Sequence, residues 1–182
     1  MKLKNLISLN TNYTRSINLE RDADSFTIAK SYIPTSRTLS TLSRIADSLN
    51  KEDSPRSFAL IGPYGSGKSA FAVFLAHLLG PFDDEGTKAA WQVLQKADQR
   101  LCDEFSLHTD RTQGYLPVLI TGTPEPLANR FVESLYKAAK TYWKKMRGPN
   151  HSIVEELKQF TGKQLSIKKI MALIAQLQDA VA

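Results

Sequence analysis

Ser57-Phe-Ala-Leu-Ile-Gly62-Pro-Tyr-Gly-Ser-Gly-Lys68-Ser69-Ala-Phe-Ala-Val-Phe-Leu-Ala-His77-Leu-Leu79 runs from a short apolar stretch through a glycine-rich turn into a longer apolar stretch. The turn Gly62–Ser69 satisfies the phosphate-binding pattern G-x-x-x-x-G-K-[ST] at every required position. In such a turn, successive backbone N–H groups point into one concavity, and the helix that follows presents its positive dipole end to the same place. Gly62, Gly65 and Gly67 allow conformations and close approach that a side chain would block. Lys68 is placed to reach the β- and γ-phosphates of a nucleotide, and Ser69 to put its hydroxyl on Mg²⁺. Pro63, Tyr64, Ser66 and Ala70 complete the expected contact set.

Working outward, Ser57–Ile61 reads as a buried first strand of an α/β unit. Lys68 to about Leu79 reads as a buried helix stopped by Gly80-Pro81. Upstream, Pro34 forces an extended entry, Thr35 or Ser36 can cap, and Leu39, Leu42, Ile45, Ala46 and Leu49 recur at helical spacing. Downstream, Ala90, Val93, Leu94, Ala97, Leu101 and Phe105 predict one helix beginning near Thr87. His108–Tyr115 reads as a connection, and Leu116–Thr121 as a second strand with Pro117 at its start. Thr123 and Pro124 then predict a helix start, with Leu127, Phe131, Leu135, Ala138 and Tyr142 carrying the helix to about Met146. Ser152–Phe160 and Ser166 onward read as helices, the second with Ile167, Ile170, Met171, Ile174 and Leu177 at core spacing. Two strands cannot bury both faces of a parallel sheet, so the pattern predicts an incomplete one.

At 182 residues, 42% hydrophobic and 23% charged, the chain has the composition of one soluble globular domain. The longest apolar run, Ala70–Leu79, falls short of the roughly 18 residues that a membrane span requires. The first residues lack the sustained apolar core of a signal peptide. A single cysteine, Cys102, excludes an internal disulfide and any multi-cysteine metal site, so a cytoplasmic location is expected. The net charge of +6 is concentrated: Lys137 to Lys169 holds nine Lys or Arg against Glu155 and Glu156. Tyr136, Tyr142 and Trp143 interleave there with Lys137, Lys140, Lys144, Lys145 and Arg147, a mixture that could stack on and neutralise a nucleic acid but more often marks an amphipathic helix with a solvated charged face and aromatics turned to a core or a partner. His77, His108 and His151 have no plausible ligand set around them in the sequence and read as structural.

Hydrolysis of a nucleotide needs more than a cradle: an apolar strand ending in a carboxylate must hold Mg²⁺ and polarise water. Asp83-Asp84-Glu85 lies at the far end of the helix that leaves the turn, Asp103-Glu104 lies within a helical pattern, and Leu116–Thr121 ends in Thr-Gly-Thr. No acceptable acidic strand is found. With its missing strands and missing carboxylate, the chain resembles the N-terminal part of large P-loop ATPases of the AAA+ and STAND type, such as ATP-binding proteins of bacterial anti-phage defence systems. That resemblance rests on YIPTSR, the helix after it, SFALIGPYGSGKSAFAVFLAHLL and LPVLITGTPEPL. It implies a three-layer αβα P-loop NTPase fold with a parallel sheet, incomplete in this chain, and a helical C-terminal third. It also implies adenine-side contacts from Tyr32, Ile33 and Pro34. The expected organisation is an N-terminal arm (1–31), a nucleotide-binding core (32–147) and a helical segment (148–182) that leads into a remainder beyond the chain. The expected function is ATP binding with Mg²⁺ as part of a larger defence or DNA-handling ATPase with protein partners. The alternatives are a non-catalytic assembly module or a nucleic-acid-binding accessory domain, and this chain alone is expected to be inactive in hydrolysis.

Overall fold

The computed structural model describes residues 16–23, 25–112, 114–148 and 151–181, so most of the N-terminal arm lies outside the described residues. The elements are α1 (Phe26–Ser31), α2 (Ser36–Asn50), α3 (Lys68–Leu78), α4 (Glu85–Ala97), α5 (Gln99–Thr112), α6 (Leu127–Tyr142) with a π-helical turn Trp143–Arg147 at its end, α7 (Ser152–Phe160) and α8 (Ile167–Val181). Among the described residues there is no β-strand.

Local chemistry sets most of the boundaries. Thr35 caps α2 as its position after Pro34 requires: its hydroxyl accepts from Thr38 N at 3.3 Å, and the Thr38 hydroxyl accepts from Thr35 N at 2.7 Å. Asp84 caps α4 through Gly86 N and Thr87 N. The single helix expected from Thr87 to Phe105 is instead two helices, because Asp98 ends one and starts the next. Its N–H bonds to Leu94 O at 2.8 Å, while its carboxylate accepts from Leu101 N at 3.0 Å. The side chain competes with continued helical pairing, and α5 turns back onto α2. Residues 108–112, expected in a connection, extend α5. Helix α6 begins at Leu127, later than Thr123 and Pro124 predicted, with Pro126 as its N-cap.

Two apolar cores result. The first joins α1 to α5 around Leu42, Phe71, Phe74, Leu78, Leu94 and Phe105, and Tyr32 stacks on Phe74 with ring centroids 4.3 Å apart. Truncating Phe74 or Phe105 to Ala is expected to cost about 3–5 kcal/mol, the range for a fully enclosed aromatic ring. The second core joins α6 to α8 around Leu135, Trp143, Val154, Leu157 and Leu173. Helix α7 matches its predicted span, but α8 is rotated from its expected register. Ile170, Leu173 and Leu177 are buried, whereas Ile167 and Met171 face outward.

The αβα sheet and the P-loop NTPase fold are therefore overturned. Ser57–Ile61 has no regular secondary structure and is exposed, with Ile61 96% accessible. Leu116–Thr121 likewise has no regular secondary structure and is half-buried; Leu116 and Val118 pack on the second core instead of on a neighbouring strand. The physical reason was visible in the count of strands: two short parallel segments gain too little from pairing to be stable, whereas the apolar stripes of α2 to α5 satisfy one another directly.

Candidate functional site

The glycine-rich turn is the part of the sequence reading that keeps a defined geometry without the sheet. Gly65 and Gly67 have φ of +79° and +82°, a left-handed backbone that other residues adopt only with strain. Gly67 is the N-cap of α3 and no side chain caps the helix, so side chains satisfy none of its first-turn N–H groups. Lys68 folds back over the turn. Its Nζ donates to Gly62 O at 2.8 Å, to Pro63 O at 2.7 Å and, more weakly, to Ser66 Oγ at 3.3 Å. These three bonds use all three ammonium donors. The longest of them is the one an incoming anionic oxygen would displace at least cost. Residues Gly62 to Gly67 are exposed, Lys68 and Ser69 half-buried, and Ala70 lies in the helix at the edge of the core. Left-handed glycines, uncapped N–H groups and a fixed cation are the features a phosphate chain requires, and on that observation the residues fit one.

The other expected site residues are dispersed. Tyr32 commits a ring face to Phe74, Ile33 is 75% exposed, and Pro34 sits between α1 and α2. In the basic segment, Lys137 bonds to Glu133 at 2.8 Å and Glu20 at 3.4 Å, Lys145 lies 3.3 Å from Asp84, and Lys140 stands over the Tyr136 ring. Lys144 is exposed, and Arg147 lies in the π-helical turn. Trp143, one of the interleaved aromatics, is buried in the second core.

Among the described residues no hydrogen bond joins a carboxylate to Ser69. Among the described residues no group of three or more His, Cys, Asp or Glu side chains is placed to hold a metal ion. Asp103 bonds to Gln99 and Glu104 to Arg100 along the face of α5. Asp84 works at the opposite end of α3, where its carboxylate caps α4, contacts His77 Nδ1 at 3.6 Å and pairs with Lys145. The His77 ring first, then Lys145 and the Thr87 N–H, hold the Asp84 carboxyl well below the usual carboxylate range, against the opposing effect of burial.

Sequence reasoning missed a second cluster. Glu20, assigned to the arm, accepts from Thr121 N at 3.0 Å, from Arg130 and from Lys137, and so ties residues preceding α1 to the start of α6. Burial works to raise its pKa, but the bonds from Thr121, Arg130 and Lys137 outweigh it and hold the carboxyl below its ordinary value. The partners lie more than one hundred residues away in sequence, and no periodicity encodes them. Cys102 is buried, and burial followed by the neighbouring Asp103 charge pushes its thiol up, so it is unreactive.

No protein-family profile matches the sequence, and no curated protein or solved structure matches it. The resemblance to AAA+ and STAND ATPases of defence systems is thereby withdrawn together with the sheet that it implied.

Proposed function

We propose that the chain binds the triphosphate of a nucleotide, ATP with Mg²⁺, at the Gly62–Ser69 turn, and acts on protein partners through the bound state without hydrolysing it. The observation that carries this reading is the uncapped start of α3, where two left-handed glycines and the Lys68 ammonium converge. Lys68 would neutralise the phosphate oxygens, the N–H groups after Gly67 would donate to them, and the Ser69 hydroxyl would serve the ion. Mg²⁺ supplies charge neutralisation between the phosphates when bound. The reading as a binding rather than a cleaving site follows from the donor set: the turn has the Lys68 cation and N–H groups, and Asp84, Asp103 and Glu104, the acidic residues the sequence offered, are engaged elsewhere in the fold. The exposed Phe58, Leu60 and Ile61 immediately before the turn place apolar surface where a bound nucleotide would alter its presentation to a partner.

Titrating the full chain with Mg-ATP by calorimetry tests the proposal. Wild type is expected to bind, and Lys68→Ala to bind at least tenfold more weakly with an unchanged helical circular dichroism spectrum. Equal affinity in the two proteins overturns it.

A further inference from the structure

Every residue from Pro55 to Gly67 is exposed, and Phe58, Leu60 and Ile61 lie among them at 44%, 43% and 96% exposure. The chain from Pro55 to Pro63 has no regular secondary structure. Among the described residues no hydrogen bond engages the backbone from Arg56 to Ile61; the bonds nearby stop at Pro55 O on one side and Gly62 O on the other. Apolar side chains and open backbone N–H and C=O groups therefore occur together on one short segment. That combination is what recruits a further strand at the edge of a sheet.

We propose that a second copy of this chain covers the segment, the two copies pairing antiparallel through residues 56–62 about a two-fold axis at Ala59. The sequence on either side of Ala59 is symmetric in what such a ribbon needs. Pro55 and Pro63, which have no N–H to donate, stand at equal distances from it. In this register Pro55 of each copy falls opposite Pro63 of the other, so the ladder is closed at both ends. Phe58 of each copy falls opposite Leu60 of the other on one face of the ribbon, and the two-fold axis makes that aromatic–aliphatic contact twice. The flanks are complementary in charge. Antiparallel pairing brings the residues that precede the segment in one copy to the end at which the other copy turns into α3. Glu52 and Asp53 are exposed, with no ion pair among the described residues, and they meet the end that carries Lys68. A different protein could use the open backbone but would have no use for the symmetry, and this favours a second copy. Neither copy has to rearrange internally, because the segment has no hydrogen bonds of its own to break. So short a ribbon makes a small interface and hence a transient dimer. The dimer goes beyond nucleotide binding and does not rest on it, since it forms with the turn empty.

The test is sedimentation equilibrium of the full chain without nucleotide, from micromolar concentration to about 0.5 mM, the range of a transient interface. Wild type is expected to pass reversibly from monomer to dimer. Residue 59 faces its own copy across the axis, so Ala59→Lys and Ala59→Glu each set like charges against one another. Each is expected to dimerise about fivefold more weakly than wild type, and an equimolar mixture of the two to regain at least the wild-type association. Both substitutions fall on an exposed residue and are expected to leave the melting temperature unchanged. Ala59→Cys is expected to oxidise to a disulfide-linked dimer and Ser57→Cys is not, because the two copies of residue 57 lie about 13 Å apart along the ribbon. Wild type that stays monomeric at the highest concentration overturns the proposal and leaves the segment to a different protein. Assemblies that grow past two copies overturn the two-fold pairing. A mixture of the Lys and Glu variants that associates no more tightly than either alone, or equal cross-linking at residues 57 and 59, overturns the register and with it the argument from symmetry.

Discussion

The two ends of α3 are built on opposite principles. At its N-terminus, the helix emerges from an exposed turn held by two left-handed glycines and the solvent-facing bonds of Lys68. At its C-terminus, Gly80, Pro81, Asp84 and His77 are enclosed by α4, the segment 114–119 and α6, and Asp84 pairs with Lys145. An open end can change partners at little cost to the fold, whereas a closed end cannot. Substitutions at the C-terminal end should therefore be read out as lost stability, and substitutions at the N-terminal end as lost binding.

The largest effect is expected at Gly114. Its φ is +89°, and a Cβ there would lie 2.3 Å from Gly80 O and 2.8 Å from Gly80 C, all of it backbone at the end of α3. The next residue anchors the same contact, with Tyr115 N donating to Leu79 O at 2.7 Å and the Tyr115 hydroxyl reaching His108. Gly114→Ala combines left-handed strain with an overlap that no side-chain rotation relieves, at a cost of about 3 kcal/mol or more. Thermal melts are expected to fall by roughly 10 °C for a chain of this size. A melting temperature within a degree of wild type would break the description of this end as closed.

Asp84→Asn should come next, and it isolates charge from capping because asparagine caps a helix about as well as aspartate. The loss expected at neutral pH is about 1 kcal/mol, from the Lys145 and His77 contacts. Its pH dependence carries the sharper information. The folded carboxyl is held below its unfolded value, so its stabilisation is complete above about pH 4 and is lost as pH falls through the depressed folded value. Wild type should lose stability through this acid range faster than Asp84→Asn, and the two melting curves should approach one another. Parallel curves from pH 7 to pH 3 would show that Asp84 contributes only as a cap.

What could be read from the sequence divides along the same line. The open end is local: Gly65, Gly67 and Lys68 are consecutive or nearly so, and their geometry follows from residue type and spacing. Helices α2, α3 and α7 were legible for the same reason, since periodicity and caps such as Thr35 act within a few residues. The sheet was misread because a short apolar run does not tell a strand from an extended connection; pairing decides, and pairing is not local. The break at Asp98 was hidden because the apolar stripe runs on in register from Leu94 to Leu101. The closed end was illegible altogether: His77, Thr87 and Ser134 belong to three helices, and Glu20 meets Arg130 across more than one hundred residues.

The smallest effect on stability is expected where the proposed function predicts the largest effect on binding. Lys68→Ala removes solvent-facing bonds to Gly62, Pro63 and Ser66, and it should cost no more than about 0.5 kcal/mol, a shift of one or two degrees in melting temperature. Gly67→Ala provides the companion measurement. A Cβ there meets nothing within 4 Å, so its cost is the left-handed backbone alone, about 1 kcal/mol. If both variants stay folded and both lose Mg-ATP, the turn is a binding element whose shape and charge are separately required. If Lys68→Ala instead destabilises the chain as much as Asp84→Asn does, the lysine is a strut for the turn, because an ammonium that has to hold its own carbonyls in place is not available to a phosphate.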